Sequence, residues 1–375
     1  MALSKVNPNF VEQTPYGRRN IIINGAMQVW QRTTAATSAG NTYATVDRFA
    51  FGVNTDGAYT TEQSTDTPTG TGYSLKAQVT TADTSISSGQ YAYMYHEIEA
   101  QNLQHLLYGT SAAKSITLSF WVKSNKTGIY TIILRKLSGT DCHLVYEYTI
   151  DSANTWEKKE ITISPTAGST SIITTSTGAI SNDNARGIQL GWNFAFGSNY
   201  NGATNNTWTT NTNHYATSNQ VNWMDSTSNN FYLAEVQLEV GDTATPFEHR
   251  SFGEELALCQ RYYCKTYNYT DPPGTNTGSS YWVGGSMAQT TTNTWGAVWD
   301  YPATMRALPT TTVYTAAGTS GQLQYSSGSL TATGVVQEFG KGSERVGFFH
   351  NGTASSLTAG YGVTIYGHIV ADAEL

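Results

Sequence analysis

Residues 230–266 read NFYLAEVQLEVGDTATPFEHRSFGEELALCQRYYCKT, and this stretch decides the fold. Its first part, up to Val240, alternates apolar with polar side chains, and alternation with a period of two predicts a half-buried β-strand. The apolar face would carry Tyr232, Ala234, Val236, Leu238 and Val240, with Glu235, Gln237 and Glu239 on the other face. Gly241 and Asp242 then stop the strand, and Pro246 lacks the backbone donor that a longer strand would need.

The second part of the stretch predicts a short α-helix. Ser251 is a favourable N-cap, and Glu254 three residues later completes the pattern of a capping box. Apolar residues then follow at helical spacing, namely Leu256, Cys259, Tyr262 and Tyr263. Because long β-patterned regions lie on both sides, we predict one linking helix within residues 251–266.

Residues 20–250 predict a β-sandwich or barrel, because apolar–polar alternation recurs in short segments separated by polar turns. The clearest segments read SITLSFWVK (115–123), TGIYTIILRKL (127–137), HLVYEYTI (143–150), TWEKKEITI (155–163) and RGIQLGWNFAFG (186–197). In the last segment Trp192 shares a face with Phe194 and Phe196, so Trp192 is expected in the core. A further apolar strand is expected over residues 21–30.

Residues 267–375 predict a smaller antiparallel β domain, so the whole chain is expected to be all-β apart from the linking helix. Alternating patterns recur in residues 295–301, 346–349 and 363–369, and glycines mark the turns between them. The segment DPPGTNTGSS (271–280) is rich in proline, glycine and serine and is expected to be a linker.

The chain is therefore predicted to have four parts. These are an N-terminal arm (1–19), the N-terminal β domain (20–250), the linking helix (251–266) and the C-terminal β domain (267–375). The arm lacks periodicity and is either a frayed terminus or an extended segment that docks on a neighbouring protein.

The composition favours a folded β protein and argues against several classes of function. Charged residues make up 13% of the 375 residues and aromatic residues 12%, a balance that argues against disorder. The net charge of −7 is spread thinly and includes no basic run, so no nucleic-acid partner is predicted. No apolar run has the length of a membrane span, and residues 1–19 contain no signal-peptide core, so no membrane insertion is predicted.

The residues that could carry chemistry predict no enzyme, metal or cofactor. Cys142, Cys259 and Cys264 show no metal spacing and are expected to be free thiols in a reducing compartment, and the 7 histidines form no close pair. Glu97 and Glu99 share one strand face, but solvent-facing charge explains them better than a catalytic carboxylate pair. The chain also lacks a Gly-x-Ser-x-Gly elbow and a phosphate-binding loop.

Aromatic side chains give the better indication of function, because sugar rings stack on tryptophan and tyrosine. A long polar loop, GSNYNGATNNTWTTNTNHYATSNQVNWMD (197–225), carries several of them, and long loops in compact domains are usually functional. The candidate glycan or interface contacts are Trp121, Tyr200, Trp208, Tyr215 and Trp223. Packing against a neighbouring subunit is the commoner role for such residues, and both alternatives stay open.

Several segments resemble the virion appendage proteins of tailed bacteriophages, which are usually described as tail fibre proteins. The segments occur in the same order as in those proteins. They are NIIINGAMQVWQR (20–32), ATVDRF (44–49), VQLEVGDTATPFEHRSFGEELALCQRYY (236–263), YPATMRALPTTTVYT (301–315) and ADAEL (371–375).

Residues 20–240 also resemble the jelly-roll carbohydrate-binding modules that accompany glycosidases. The shared pattern is an opening strand like NIIINGAMQVW, a strand with WVK, the segment NTWEKKEITI and a closing strand like FYLAEVQLEV. This resemblance implies an N-terminal jelly-roll sandwich. The closing strand of those modules often carries a calcium-binding aspartate, whereas this chain has Ala234 or Glu235, so no calcium is predicted.

Together these resemblances imply a non-enzymatic virion structural protein, a tail fibre or similar appendage subunit that contributes to host attachment. The implied partners are further copies of the chain in a homotrimer, other virion proteins through the arm, and a weakly bound host surface glycan. The protein would be assembled in the host cytoplasm and located in the virion. The alternatives are a head or neck decoration protein without a receptor role, and a carbohydrate-active enzyme or its binding module.

Overall fold

The computed structural model describes residues 18–37, 42–278, 281–288, 293–327, 330–351 and 358–375, and the fold is all-β as predicted. Most of the predicted arm (1–17) lies outside the described residues. The strands of the N-terminal region are β1 (Ala35–Thr37), β2 (Phe49–Asn54), β3 (Ala58–Ser64), β4 (Ser74–Thr81), β5 (Tyr91–Glu99), β6 (Ile116–Ser124), β7 (Gly128–Lys136), β8 (Cys142–Ile150), β9 (Glu157–Ile163), β10 (Arg186–Phe196) and β11 (Asn230–Val240). Short 3-10 helices lie at Ala100–Leu106, Ala167–Ser169, Ser176–Gly178 and Trp223–Asp225.

These strands form two antiparallel sheets that pack face to face. One sheet has six strands in the order β1-β3-β4-β11-β6-β9, and the other has five in the order β2-β5-β10-β7-β8. Inward side chains of both sheets form one core, in which Trp192 is fully buried and its ring centroid lies 5.9 Å from that of Phe120 and 6.1 Å from that of Phe49. The expected core position of Trp192 is therefore confirmed.

Strand β11 does not keep one apolar face along its length. A β-bulge between Ala234 and Gln237 shifts the register, and Glu235 adopts a positive φ of 49°. Before the bulge Phe231 and Leu233 enter the core, whereas Tyr232 points outward. The predicted single face is therefore wrong for Tyr232 and Ala234, because an inserted residue exchanges the two faces of a strand.

Residues 21–30 do not form the expected strand. They make a compact turn around Asn24, whose side-chain amide donates to the carbonyl of Val29 at 2.9 Å and accepts from the N–H of the same residue at 2.9 Å. These bonds satisfy backbone groups that a strand ladder would otherwise use. The turn also lies against the bulge of β11, where a Cβ on Gly25 would approach the carbonyl oxygen of Val236 to 2.1 Å.

The linking helix, α1 (Phe252–Gln260), begins as predicted. The Ser251 hydroxyl accepts from the N–H of Glu254 at 3.3 Å, and the Glu254 carboxylate accepts from the N–H of Ser251, which completes the capping box. The helix ends at Gln260, earlier than the predicted boundary at 266. The next residues instead form a strand, because Tyr262 and Tyr263 pack on arginines of the sandwich.

The C-terminal region forms an antiparallel sheet, as expected. Its strands are β12 (Tyr263–Lys265), β13 (Tyr281–Ala288), β14 (Asn293–Asp300), β15 (Thr310–Tyr314), β16 (Gln322–Ser327), β17 (Leu330–Phe339), β18 (Arg345–Asn351) and β19 (Gly362–Asp372). The strand order is β12-β19-β13-β14-β18-β17-β16, and β15 pairs with β19. Because β19 also pairs with β16, the sheet closes on itself around a second core.

The segment 271–278 is more firmly held than the predicted linker. The N–H of Thr277 donates to the carbonyl of Ala316 at 3.0 Å, and the N–H of Gly274 donates to the Tyr267 hydroxyl at 3.0 Å. Residues 279–280 lie outside the described part of the chain. Within that part, no helix has both the length and the apolar character needed to cross a membrane.

A buried charge cluster joins the sandwich to the C-terminal sheet; we call it the arginine junction (Arg32, Arg48, Arg261, Arg306 and Glu374). Arg32 contacts the Glu374 carboxylate at 3.1 Å, and Arg48 pairs with its other oxygen. Arg261 binds both carboxylate oxygens of a sandwich residue, Glu99, at 2.8 and 2.9 Å. Arg306 donates to the carbonyl of Glu374 at 3.0 Å.

The five segments that carry the bacteriophage resemblance meet at this junction. Segment 20–32 supplies Arg32, segment 44–49 supplies Arg48, and segment 236–263 supplies Arg261. The last two segments, 301–315 and 371–375, supply Arg306 and Glu374. The resemblance therefore coincides with the residues that hold the two parts of the chain together.

Candidate functional site

Three tyrosines of β5 lie on the outer face of the five-stranded sheet. In the sequence YAYMY, Ala92 and Met94 enter the core, so Tyr91, Tyr93 and Tyr95 project from the opposite face. The rings of Tyr93 and Tyr95 are stacked with centroids 5.2 Å apart. A row of aromatic faces thus runs along the sheet surface.

Strand β10 adds Phe196 to this row through a β-bulge between Asn193 and Ala195. The sequence predicted Phe196 on the core face with Trp192, and this prediction is wrong because the bulge shifts the alternation by one residue. The Phe196 ring stacks on that of Tyr91 at a centroid distance of 6.1 Å.

Residues 197–222, which we call the cover loop, complete the site. The loop brings Tyr215 to within 5.6 Å of the Phe196 ring, and Tyr200 to within 5.7 Å of the Tyr215 ring. The loop is attached to the sheet, because Asn193 donates through Nδ2 to the carbonyl of Tyr215 at 2.7 Å, and the backbones of His143 and Thr209 form a bridge.

The result is an open cavity of about 280 Å³, the tyrosine cleft. Its aromatic lining is Tyr91, Tyr93, Tyr95, Phe196, Tyr200 and Tyr215, and its polar lining is Arg135, Arg186 and Gln189.

Hydrogen bonds fix the polar floor of the tyrosine cleft. Gln189 accepts from Nη1 of Arg135 at 2.9 Å and donates through Nε2 to the Glu97 carboxylate at 2.9 Å. Nη1 of Arg186 donates to the same Glu97 oxygen at 3.4 Å. Arg135 also donates through Nε to Nε2 of His143 at 3.3 Å. The side chains that a ligand would meet are thus positioned in advance.

Burial controls the protonation of this site. It raises the pKa of Tyr95 to about 12, so the tyrosine hydroxyl stays protonated and can donate at neutral pH. Burial also raises the pKa of Glu97, although Arg186 and the hydrogen bond from Gln189 act in the opposite direction. Burial and the nearby charge of Arg135 lower the pKa of His143 to about 4, which keeps this imidazole neutral.

The structure separates the predicted contact residues into three groups. Tyr200 and Tyr215 line the tyrosine cleft. Trp121 lies half-buried on the six-stranded sheet, beside Lys158 of β9, and so belongs to a different surface. Trp208 and Trp223 belong to the core and line no part of the cleft.

The expectation of exposed contacts is wrong for Trp208 and Trp223, which are 1% and 0% exposed. The indole N–H of Trp208 donates to the carbonyl of Ser164 at 2.9 Å, and that of Trp223 donates to the carbonyl of Asn230 at 3.0 Å. Their polar loop context misled the prediction, because backbone carbonyls satisfy both buried donors.

The sequence interpretation also missed most of the polar floor. Glu97 and Glu99 were expected on a solvent face, but they are only 1% and 0% exposed, because Gln189 and Arg261 bind them. No cluster of three or more His, Cys, Asp or Glu side chains suited to a metal occurs among the residues that the structure describes. The aromatic side chains of the tyrosine cleft can stack on a flat apolar face of a ligand ring, and its polar side chains can form hydrogen bonds with the substituents of that ring.

Comparisons with known proteins give only distant likenesses. A scan of protein-family models finds no match, and a search of curated proteins finds no relative. Among solved structures, an enzymatically active domain of the bacteriophage CBA120 tailspike protein 4 has 12% identity and a TM-score of 0.29, with 59% of this chain and 21% of that chain covered. The matched region thus spans about a fifth of the tailspike domain.

Proteins described as sugar-binding are also among the similar structures. A putative sugar binding protein from Bacteroides thetaiotaomicron has 11% identity and a TM-score of 0.32, with 60% of this chain and 100% of that chain covered. The family 11 carbohydrate-binding module of Clostridium thermocellum has 15% identity and a TM-score of 0.29, covering 57% and 99%. Likenesses at this level assign no function to this chain.

Proposed function

We propose that this chain is a non-enzymatic carbohydrate-binding protein that holds a saccharide in the tyrosine cleft. The observation that carries the proposal is the combination of six aromatic rings with the polar side chains of Arg135, Arg186 and Gln189 in one open cavity. Aromatic faces can stack on the C–H faces of a sugar, and fixed amide and guanidinium groups can bind its hydroxyls.

Binding at a single site should be weak. The cavity of about 280 Å³ lies at the lower end of the range for small-molecule sites, about 300–1,000 Å³, and it is open to solvent. Several copies of the site in one assembly would offset this, because linked sites engage a repetitive surface at a high effective concentration.

The composition of the tyrosine cleft supports a binding role over catalysis. Glycosidases use two carboxyl groups that flank the scissile bond, about 5–9.5 Å apart. The residues that line the cleft include no aspartate or glutamate, and Glu97 lies beneath its floor. The alternative of a carbohydrate-active enzyme would need such a pair on another surface.

The proposed setting is a virion appendage, located in the virion after assembly in the host cytoplasm. It is supported by the segments that resemble bacteriophage tail fibre proteins and that meet at the arginine junction. We further propose a homotrimer that uses exposed apolar side chains of the C-terminal sheet, including Tyr281 at 46% and Trp282 at 66% exposure. The arm would contact other virion proteins.

The test of the proposed function is saccharide binding by the full chain, measured on an array of bacterial surface polysaccharides. Replacement of Tyr200 by alanine should lower the apparent affinity about fivefold, since a stacked aromatic face contributes about 1 kcal/mol. Tyr73→Ala is the matched control, because it removes a 40% exposed tyrosine that does not line the cleft.

Trp121→Ala distinguishes the tyrosine cleft from the six-stranded sheet as the binding surface. We expect it to leave binding unchanged. If Trp121→Ala abolishes binding while Tyr200→Ala does not, the site is misassigned. If the wild-type protein binds no saccharide but is found in the virion by electron microscopy, the decoration role becomes the better account.

A further inference from the structure

We infer that the saccharide of the tyrosine cleft is acidic and that Arg186 binds its carboxylate. The inference rests on the proposed glycan binding and names the class of sugar. It comes from the charges that a ligand would meet in the cleft, which differ in sign from the net charge of the chain, −7.

Arg186 is the available cation of the cleft. It occupies the first position of β10, its side chain is 53% exposed, and it lines the cavity. Within the described residues, the guanidinium group of Arg186 makes one hydrogen bond, from Nη1 to the Glu97 carboxylate at 3.4 Å. A guanidinium group has five donors in a planar fork, so an edge remains that matches the two oxygens of a carboxylate.

Arg135 provides a second positive charge, held in a fixed position. Its side chain is 13% exposed, it donates to Gln189 and His143, and its guanidinium lies 4.8 Å from the centre of the Tyr215 ring. These contacts occupy much of its donor capacity. Arg135 therefore contributes mainly electrostatic attraction, whereas Arg186 can form new hydrogen bonds.

The acids that neighbour these cations are kept out of direct contact with a ligand. Glu97 lies under the floor and is 1% exposed, so Gln189 and Arg186 lie between its carboxylate and a ligand. Asp141 is 3.9 Å from Nη2 of Arg135 and does not line the cavity. A ligand thus meets two guanidinium groups and no carboxylate.

The tyrosines strengthen the case because they are neutral donors. A tyrosine hydroxyl is un-ionised at neutral pH, and burial raises the pKa of Tyr93 and Tyr95 above the ordinary value, so neither carries a negative charge that would repel an anion. A uronic acid fits such a site well, because its ring stacks on aromatic faces while its carboxylate meets the arginine.

The test compares acidic polysaccharides with their own neutral forms. The probes are polygalacturonate, alginate and hyaluronan, each immobilised beside a form whose carboxyl groups have been reduced to alcohols. We expect the full chain to bind at least one carboxylated probe about tenfold more tightly than its reduced form, since a charge-assisted hydrogen bond is worth at least that factor. Added salt should weaken this binding.

Variants of Arg186 assign the effect to one residue. Arg186→Gln should lose most of the preference for the acidic form and keep only the electrostatic share of Arg135, whereas Arg186→Lys should keep more of the preference because it retains the charge without the fork. Arg345→Gln is the matched control, since Arg345 is a 60% exposed arginine on β18. Thermal melting checks that each variant is folded, and Arg186→Lys carries the test if Arg186→Gln is not.

The outcomes separate this inference from the proposed function. Equal binding of acidic and reduced forms by the wild-type protein overturns the acidic class but leaves glycan binding intact. A preference for the acid that is undiminished in both Arg186 variants overturns the assignment to Arg186. Absence of binding to every saccharide, acidic or neutral, overturns the proposed function together with the inference.

Discussion

Replacement of Glu374 by glutamine should break the arginine junction and destabilise the whole chain. The Glu374 side chain is 6% exposed and pairs with Arg32 at 3.1 Å and with Arg48. The Arg48 side chain is fully buried, and the Glu374 carboxylate is its only acidic partner among the described residues. Removing one partner of a buried ion pair costs about 3–5 kcal/mol.

The lower end of this range is the better expectation for Glu374→Gln. Arg32 keeps its contact with Asp47 at 3.3 Å, so the uncompensated charge falls mainly on Arg48. Arg48 in turn keeps its hydrogen bond to the carbonyl of Glu97 and lies 3.5 Å from the centre of the Tyr262 ring. We therefore expect a loss of about 3 kcal/mol in the free energy of unfolding.

Urea denaturation followed by tryptophan fluorescence and circular dichroism measures this loss as a shift of the midpoint. Asp372→Asn is the control, because this residue ends β19 two positions before Glu374 but is 43% exposed and 3.4 Å from Arg32, so its loss should cost less than about 1 kcal/mol. Arg48→Met added to Glu374→Gln should cost less than the sum of the two single changes. Equal midpoint shifts for Glu374→Gln and Asp372→Asn would refute the reasoning.

Three further results are expected. Trp208→Ala should lower the free energy of unfolding by about 3–5 kcal/mol and so lower the melting temperature, because it leaves a cavity in the core. An unchanged melting temperature would contradict the buried position of Trp208. His143 has a pKa of about 4 in the folded protein and about 6.5 in the unfolded chain, so the free energy of unfolding should fall as the pH drops from 6.5 to 4. The urea midpoint measured against pH should show this fall, and His143→Gln should reduce it. Trp282→Ser should convert the proposed homotrimer to smaller species in light scattering, and a wild-type protein that is already monomeric at micromolar concentration contradicts the proposal.

Regular strands were the part of the fold that the sequence predicted best. The segments at 115–123, 127–137, 143–150 and 186–197 correspond to β6, β7, β8 and β10 within a few residues. These strands have one face in the core, so the alternation in the sequence directly reflects burial. The capping box of α1 is a local motif and was predicted for the same reason.

The two β-bulges could not be predicted from the alternation of apolar and polar residues, and they caused two wrong predictions. Glu235 and the Asn193–Ala195 step each insert one residue, after which every side chain points to the other face. This is why Tyr232 left the predicted apolar face, and why Phe196 became part of the cleft. Neither bulge has a glycine at its irregular position that would have marked it.

The tyrosine cleft was only partly predictable. Tyr200 and Tyr215 were identified from their loop, whereas Trp208 in the same loop turned inward because the carbonyl of Ser164 was available to its indole N–H. The sequence YAYMY did contain a signal, since tyrosines at every second position place three rings on one face. Which face lies outside depends on the tertiary packing of Met94, which local pattern does not reveal.

The arginine junction and the cover loop come from separate parts of the chain. The segments that supply the junction end at residue 49 and resume at residue 236, so none of them overlaps residues 197–222. Apart from Trp208, whose side chain belongs to the core, the loop that finishes the tyrosine cleft can therefore change while the coupling of the two parts of the chain is preserved. The positions between Phe196 and Trp223 other than Trp208 are therefore the natural place to graft a new specificity in the laboratory.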